Sequence, residues 1–122
     1  MQPGQLDFEQ RIGNTFVFFF KLRFDDGTLR SFTGSTIVFH GQSGDTTFHY
    51  TSPSSQVTLS DVEGTTDAGI MINIAYTVTE TWIDQQVFKY QLEEWVSGKR
   101  YTLMEGLITA ETGVIDGADS SR

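Results

Sequence analysis

The stretch NTFVFFFKLRF, residues 14–24, contains five of the ten phenylalanines of this 122-residue chain. Large apolar residues occupy every even position from 16 to 24, whereas the odd positions carry Val17, Phe19, Lys21 and Arg23. A period of two is typical of a β-strand, whose side chains point alternately to opposite faces. The stretch therefore predicts a strand with a wholly apolar even face and an odd face that is apolar first and charged later.

Further strand-like segments, separated by turn residues, follow along the rest of the chain. Asp26-Gly27 follows the phenylalanine-rich stretch, and an Asp-Gly pair favours the tight turn of a hairpin. Six further apolar or alternating runs lie between Gly, Pro, Ser and Asp clusters: 35–41, 46–51, 56–60, 70–76, 87–96 and 100–110. The pattern predicts an all-β fold, an immunoglobulin-like β-sandwich of about seven antiparallel strands. Only residues 77–84 suggest a helical turn, which we assign to a crossover between the sheets.

The length allows one domain, and the chain ends differ from its middle. Residues 1–11 carry only Leu6 and Phe8 as large apolar groups after the initial Met, and residues 113–122 are mostly small and polar. We expect an amino-terminal arm over residues 1–11, a sandwich over 12–112 and a flexible tail over 113–122. Both ends should be mobile unless a neighbour orders them.

Charge and composition exclude several classes of partner. Sixteen acidic residues against eight basic ones give a net charge of −8, which repels phosphate backbones and anionic lipid. The longest unbroken apolar run, residues 16–20, is far shorter than the ~20 residues of a spanning helix. The chain has no cysteine, so disulfides and thiolate metal sites are excluded. We expect neither a nucleic-acid nor a membrane partner.

Catalytic motifs are absent from the sequence. The segment Gly41-Gln42-Ser43-Gly44 is one residue too short for the Gly-x-Ser-x-Gly nucleophile elbow. Gly98-Lys99 is followed by Arg100 where a phosphate-binding loop needs Ser or Thr. We therefore expect no enzymatic activity and no cofactor.

Histidine and carboxylate side chains are candidate ligands for a metal ion. His40 and His49 flank a turn and could meet across a hairpin, but two imidazoles fall short of a usual ligand set. Residues 61–67 could wrap a calcium ion with the carboxylates of Asp61, Glu63 and Asp67. Glu93 and Glu94 are neighbours on a strand, so they should face opposite sides. Solvated polar groups are the favoured interpretation, and we expect no metal site.

Two groups of apolar residues are candidates for partner contacts. Trp82 and Trp95 could stack on sugar rings, although core packing is the default role of tryptophan in a small sandwich. The exposed edge formed by Val17 and Phe19 should be covered, by the amino-terminal arm or by another subunit. The predicted partner interface thus comprises Leu6, Phe8, Val17, Phe19, Trp82 and Trp95.

A single glycine interrupts the alternation of the last strand. Gly106 lies between Leu103 and Ile108, where the parity of the apolar residues changes. A lone glycine inside a strand often marks a β-bulge or a close backbone approach. We predict a bulge at Gly106 that redirects the strand.

The order of these motifs resembles the small immunoglobulin-like domains of phage structural proteins. These include the amino-terminal domain of the baseplate upper protein family and short proteins encoded beside tail genes. The matching segments are an opening strand, an Asp-Gly turn, a short Thr-Gly segment, a Tyr-x-Leu strand and a closing strand: residues 13–15, 26–27, 31–34, 88–92 and 103–110. Asn, Ser, Phe and Ala replace the residues usual in the family at several of these positions.

The resemblance implies a virion component without catalytic residues. Its partners would be other virion proteins, and its copies would repeat by symmetry or form a homo-oligomer. The leading hypothesis is a non-enzymatic adaptor in the tail, baseplate or fibre. The alternatives are a decoration protein on the head surface and a carbohydrate-binding module.

Overall fold

The structure, a computed structural model, describes residues 4–112. Its elements within that range, in chain order, are β1 (Gly4–Gln5), β2 (Phe8–Arg11), β3 (Phe16–Lys21), β4 (Thr36–Ser43), β5 (Thr46–Thr51), β6 (Val57–Val62), β7 (Thr65–Ile74), α1 (Tyr76–Thr79), β8 (Val87–Val96) and β9 (Lys99–Glu111). The expected all-β fold is confirmed. The tail predicted over residues 113–122 lies outside the described residues.

Two sheets face each other across the core. One sheet has six strands in the order β1-β9-β8-β4-β5, with β2 also paired to β9, and the other has the order β3-β7-β6. The seven longer strands, β3 to β9, pair antiparallel throughout. Apart from the amino-terminal strands, which pair with β9, this division matches the BED and GFC strands of the immunoglobulin fold, with β5 as the additional strand found in variable-type domains. The immunoglobulin-like sandwich is therefore shown by strand order as well as by strand content.

The phenylalanine-rich stretch forms the edge strand of the smaller sheet. β3 pairs with β7 from Phe16 opposite Ile74 to Lys21 opposite Gly69. The even face packs into the core as predicted, and the chain reverses through the turn that follows, where Gly27 N donates to Phe24 O. Phe24 departs from the prediction because it lies in this turn and is exposed.

Aromatic rings join the two sheets at the centre of the core. The Phe39 ring of β4 lies 5.5 Å from Phe18 of the opposite sheet and 5.6 Å from Tyr90 of its own sheet, between ring centroids. Antibody domains place a disulfide between the sheets in this region, next to a buried tryptophan. Since this chain has no cysteine, stacked and edge-on aromatic contacts hold the sheets together instead.

The crossover between the sheets contains the short helix, as predicted. α1 connects β7 of the smaller sheet to β8 of the larger one. Thr79, which is fully buried, donates through Oγ1 to Asn14 O at 2.8 Å and accepts from Gly13 N at 3.1 Å. The crossover is thereby tied to the turn that precedes β3.

Within the described residues 4–11, the amino-terminal arm pairs with its own domain, whereas a segment ordered only by a neighbour was predicted. β1 and β2 both run parallel to β9, with Gly4 opposite Met104 and Phe8 opposite Ile108. The Phe8 ring stacks on Phe18 at 5.1 Å between centroids and packs against the core. Composition did not reveal this pairing because most of its bonds are made by backbone groups.

The bulge in the last strand lies at Leu103, not at Gly106. The register between β8 and β9 shifts between Leu92 and Glu93, which leaves Leu103 without an opposite residue. Gly106 pairs regularly with Tyr90 and serves a different purpose. A Cβ at Gly106 would overlap the carbonyl oxygen of Leu6, so the glycine allows the arm to approach β9.

Candidate functional site

Three of the six predicted interface residues lie at the surface. Leu6, Val17 and Phe19 are between 43% and 52% exposed. Val17 and Phe19 project from the outer face of β3, where Phe19 is opposite Met71 of β7. We refer to Val17, Phe19 and Met71 as the outer strip. Within residues 4–112 the arm does not cover it, because Phe8 packs against the other face of β3.

The Phe19 ring also has a structural role in the outer strip. A Cβ at Gly69 would overlap this ring, and the ring's Cε2 would be only 2.7 Å away. Phe19 therefore lies directly over the backbone of Gly69 and replaces the side chain that the glycine lacks. Val17 is the more exposed of the two residues.

The two tryptophans have different positions. Trp82 is 6% exposed and packs in the core, with its ring 4.7 Å from that of Phe88. Trp95 is half-buried, its Nε1 donates to Glu93 Oε1 at 3.1 Å, and the Arg100 guanidinium lies 4.4 Å from the centre of its ring. Trp82 is thus corrected from a surface candidate to a core residue, and one face of Trp95 is occupied by Arg100.

The two histidines meet as predicted, without completing a metal site. His40 and His49 are directly opposite on β4 and β5, and their rings stack at 5.9 Å between centroids. His40 Nε2 lies 3.4 Å from Glu93 Oε1. Among residues 4–112, no group of three or more His, Cys, Asp or Glu side chains is arranged to hold a metal ion.

The acidic loop around residue 63 is used for contacts within the chain. The side-chain carboxylate of Asp61 accepts from Asp67 N at 2.9 Å. Glu63 lies 2.7 Å from Arg23 Nη2 and 3.6 Å from Lys21 Nζ. The hydrogen bond and positive charge of Arg23 lower the pKa of Glu63 below its usual value. These contacts engage Asp61 and Glu63, two of the three carboxylates that the calcium hypothesis required.

Glu93 and Glu94 face opposite sides of the sheet, as predicted, and Glu94 is buried. Its carboxylate lies 2.7 Å from Arg30 Nη2 and accepts from Ser35 Oγ at 2.5 Å. A cavity of about 380 Å³, lined by Leu22, Phe24 and Tyr101 among others, opens beside the Arg30–Glu94 pair. Sequence parity places Glu94 on the same face as Leu92, and this was the available signal for its burial.

A second concave surface was not predicted from the sequence. It is an open groove on the outer face of the six-stranded sheet, with a volume of about 770 Å³. Its polar lining includes Gln5, Asp7, Gln42, Lys89, Gln91 and Glu105, and we call it the polar groove. Its residues come from four strands and the arm's connecting segment, so only the sheet register brings them together.

The side chain of Tyr90 links β8 to the amino-terminal arm. Its hydroxyl donates to Leu6 O at 2.5 Å, and the residue is 1% exposed. Burial, assisted by the negative charge of Asp7, raises the pKa of Tyr90 to about 12. A tyrosine in an unfolded chain ionises near pH ~10. The native state therefore retains the phenolic proton more strongly, and the free energy of unfolding falls as the pH rises from ~10 towards ~12.

Tyrosine ionisation provides a test of this environment. We expect a pH-jump absorbance titration at early times to show one phenol that ionises near pH 12 in the native protein and is missing in Tyr90→Phe. The Tyr76→Phe variant is the control because Tyr76 is exposed. A Tyr90→Phe curve that lacks only a group ionising at the ordinary value would contradict the assignment.

Comparison with known proteins adds no family assignment. No protein-family model matches the chain, and no curated protein matches it. Within the described residues, no helix has the length and apolar character needed to cross a membrane.

Proposed function

We propose that this protein is a non-enzymatic structural component of a phage particle, an adaptor that works through contacts with other virion proteins. The motif order described above supports this proposal, and so does the immunoglobulin-like sandwich. The observation that carries it is the outer strip, an apolar surface on edge strand β3 and the neighbouring residue of β7. A tail, baseplate or fibre position is the leading version, and decoration of the head surface is the alternative.

An exposed apolar edge strand favours a protein partner. β3 ends one side of the three-stranded sheet, so the backbone groups along its outer side face away from β7. Natural proteins usually protect such edges because a second chain can pair with them. Val17 is 52% exposed at this edge, and the charged residues Lys21 and Arg23 follow only at its far end. The edge therefore suits an apolar strand or surface from a neighbouring subunit.

The test is the protein content of purified particles. Mass spectrometry of virions should detect this protein, and its copy number should separate the two versions of the proposal. An adaptor should be present in few copies and a decoration protein in many more. Absence of the protein from intact particles would refute both versions.

A substitution in the outer strip tests the contact surface. Val17→Lys should leave the free energy of unfolding within about 0.5 kcal/mol of the original, since Val17 is exposed. The same change should reduce incorporation into particles, because a charge would then face an apolar partner. Val17 is preferable to Phe19 for this test because Phe19 also covers Gly69.

The matched control is Thr47→Lys on β5, the edge strand of the other sheet. Thr47 is exposed as well, and it lies on the opposite side of the sandwich. We expect normal incorporation of this variant. Equal incorporation of the Val17→Lys and Thr47→Lys variants would show that the outer strip is not the contact surface.

A further inference from the structure

The polar groove contains a carboxylate fixed by two amides. Gln5 Nε2 donates to Glu105 Oε2 at 2.9 Å, and Gln91 Nε2 donates to Glu105 Oε1 at 3.3 Å. A carboxylate only accepts hydrogen bonds, so each amide must turn its nitrogen towards Glu105. Among residues 4–112, neither amide oxygen accepts a hydrogen bond. Two acceptors are thus held in place and remain available.

The far wall of the groove contributes another glutamine whose amide nitrogen is engaged. Gln42 Nε2 donates to Gly44 O at 3.1 Å, which leaves the Gln42 amide oxygen as a third available acceptor. Donors are present on the same face, because Lys89 lies opposite Gln42 across the β4–β8 pair. Within the described part of the chain, no carboxylate lies within ion-pairing distance of Lys89.

An apolar element completes the lining. Leu107 is opposite Lys89 on β9 and is 38% exposed. The groove volume of about 770 Å³ falls within the range of about 300–1,000 Å³ that is usual for small-molecule sites. The surface therefore offers fixed acceptors, a lysine donor and an apolar contact side by side.

We propose that the polar groove binds a short neutral oligosaccharide. Each sugar hydroxyl both donates and accepts, so it matches a mixture of amide oxygens and an ammonium group. The C–H groups of a sugar ring can pack on Leu107. Asp7 and Glu105 oppose an anionic ligand, and the net charge of −8 strengthens that selection.

In this proposal the sugar is recognised by glutamine amides and not by stacking on tryptophan. The proposal does not depend on the proposed function as a virion adaptor. Trp82 is buried, and Arg100 occupies one face of Trp95. The groove also lies on the sheet opposite the outer strip, so one molecule could hold a protein partner and a glycan at the same time.

The experiment is an NMR titration of the full chain with four defined probes: maltohexaose, cellohexaose, N-acetylchitohexaose and mannohexaose. Addition of at least one probe should shift the backbone amide signals of Gln42, Gln91 and Glu105. Gln91→Leu should weaken binding of that probe about tenfold, since it removes one acceptor and one of the two amides that hold Glu105. Gln42→Ala, on the opposite wall, should weaken it separately.

The control is Asn73→Leu, an exposed residue on the outer face of the three-stranded sheet. This variant should bind like the original, and well-dispersed spectra of all variants will show that they are folded. The proposal is overturned if the groove signals respond to none of the four probes. It is also overturned if folded Gln91→Leu and Gln42→Ala bind as tightly as the original protein.

Discussion

Gly106→Ala should lower the free energy of unfolding by about 3 kcal/mol, the upper part of the usual range for overpacking. The added methyl group would overlap Leu6 O and lie 2.8 Å from Leu6 C and 2.9 Å from Asp7 Oδ1. Two of these atoms belong to the backbone and cannot rotate away. The arm would have to leave β9, which also breaks the hydrogen bond from Tyr90 to Leu6.

A second glycine on the same strand pair provides the control. A Cβ at Gly4 would lie 3.8 Å from Leu103 O and 3.9 Å from Met104 Cγ, which are ordinary contacts. Gly4→Ala should therefore change the free energy of unfolding by less than about 0.5 kcal/mol. Urea denaturation measures both variants, and hydrogen exchange at Ile12 and Gln10 reports release of the arm. Equal losses in the two variants would show that close approach at Gly106 is not the cause.

Arg30→Met should be similarly damaging, with a loss of about 3 kcal/mol, because it leaves the Glu94 carboxylate buried without its cation. The Glu94 side chain is 2% exposed, and Ser35 Oγ would remain its one described hydrogen-bond donor. The arginine also lies 4.9 Å from the centre of the Phe32 ring, so part of the loss will come from that contact.

The exposed Arg23–Glu63 pair is a control that tests whether burial, and not the N–O distance, sets the stability contribution of an ion pair. Its N–O distance of 2.7 Å equals that of the Arg30–Glu94 pair, but both of its side chains are about half exposed. Arg23→Met should therefore lower the free energy of unfolding by less than about 1 kcal/mol. If Arg23→Met and Arg30→Met give the same loss in urea denaturation, burial does not decide the value of these pairs.

A double substitution tests whether the buried pair is needed for stability. Within residues 4–112, Arg30 Nη1 is buried without a hydrogen-bond partner, and Glu94 Oε1 lies 2.7 Å from Arg30 Nη2 without meeting hydrogen-bond geometry, so the pair is incompletely satisfied. Replacement of both residues by methionine should recover most of the loss seen with Arg30→Met, as for other buried ion pairs replaced by apolar residues. No recovery in the double variant would indicate that the pair contributes to stability itself.

Local alternation predicted most of the sandwich. Large apolar residues occupy every even position of β3 and of residues 70–74 in β7, so the existence and inner faces of both strands follow from the sequence. The helical crossover and the opposite orientation of Glu93 and Glu94 follow from equally local rules. These features depend on residues that are close together in the chain.

The failures concern contacts between distant segments. A glycine in a strand indicates either a bulge or a close approach, and only the position of Leu6 distinguishes the two at Gly106. The pairing of the arm with β9 and the polar groove both depend on registers such as Gln91 opposite Glu105. The sequence does not show which outward-facing polar residues are neighbours, because the strand register determines this.

The parallel pairing of the arm with β9 has a consequence for biosynthesis. Gly4 can pair only after Met104 has been synthesised, about one hundred residues later. Phe16 can pair only after Ile74 has been synthesised, almost sixty residues later. Chains emerge from the ribosome amino end first, and such distant contacts form slowly because a long loop must close. The aromatic strand is therefore unpaired for much of translation. Lys21 and Arg23, at the end of that strand, would then protect the nascent chain from aggregation before the fold exists to do so.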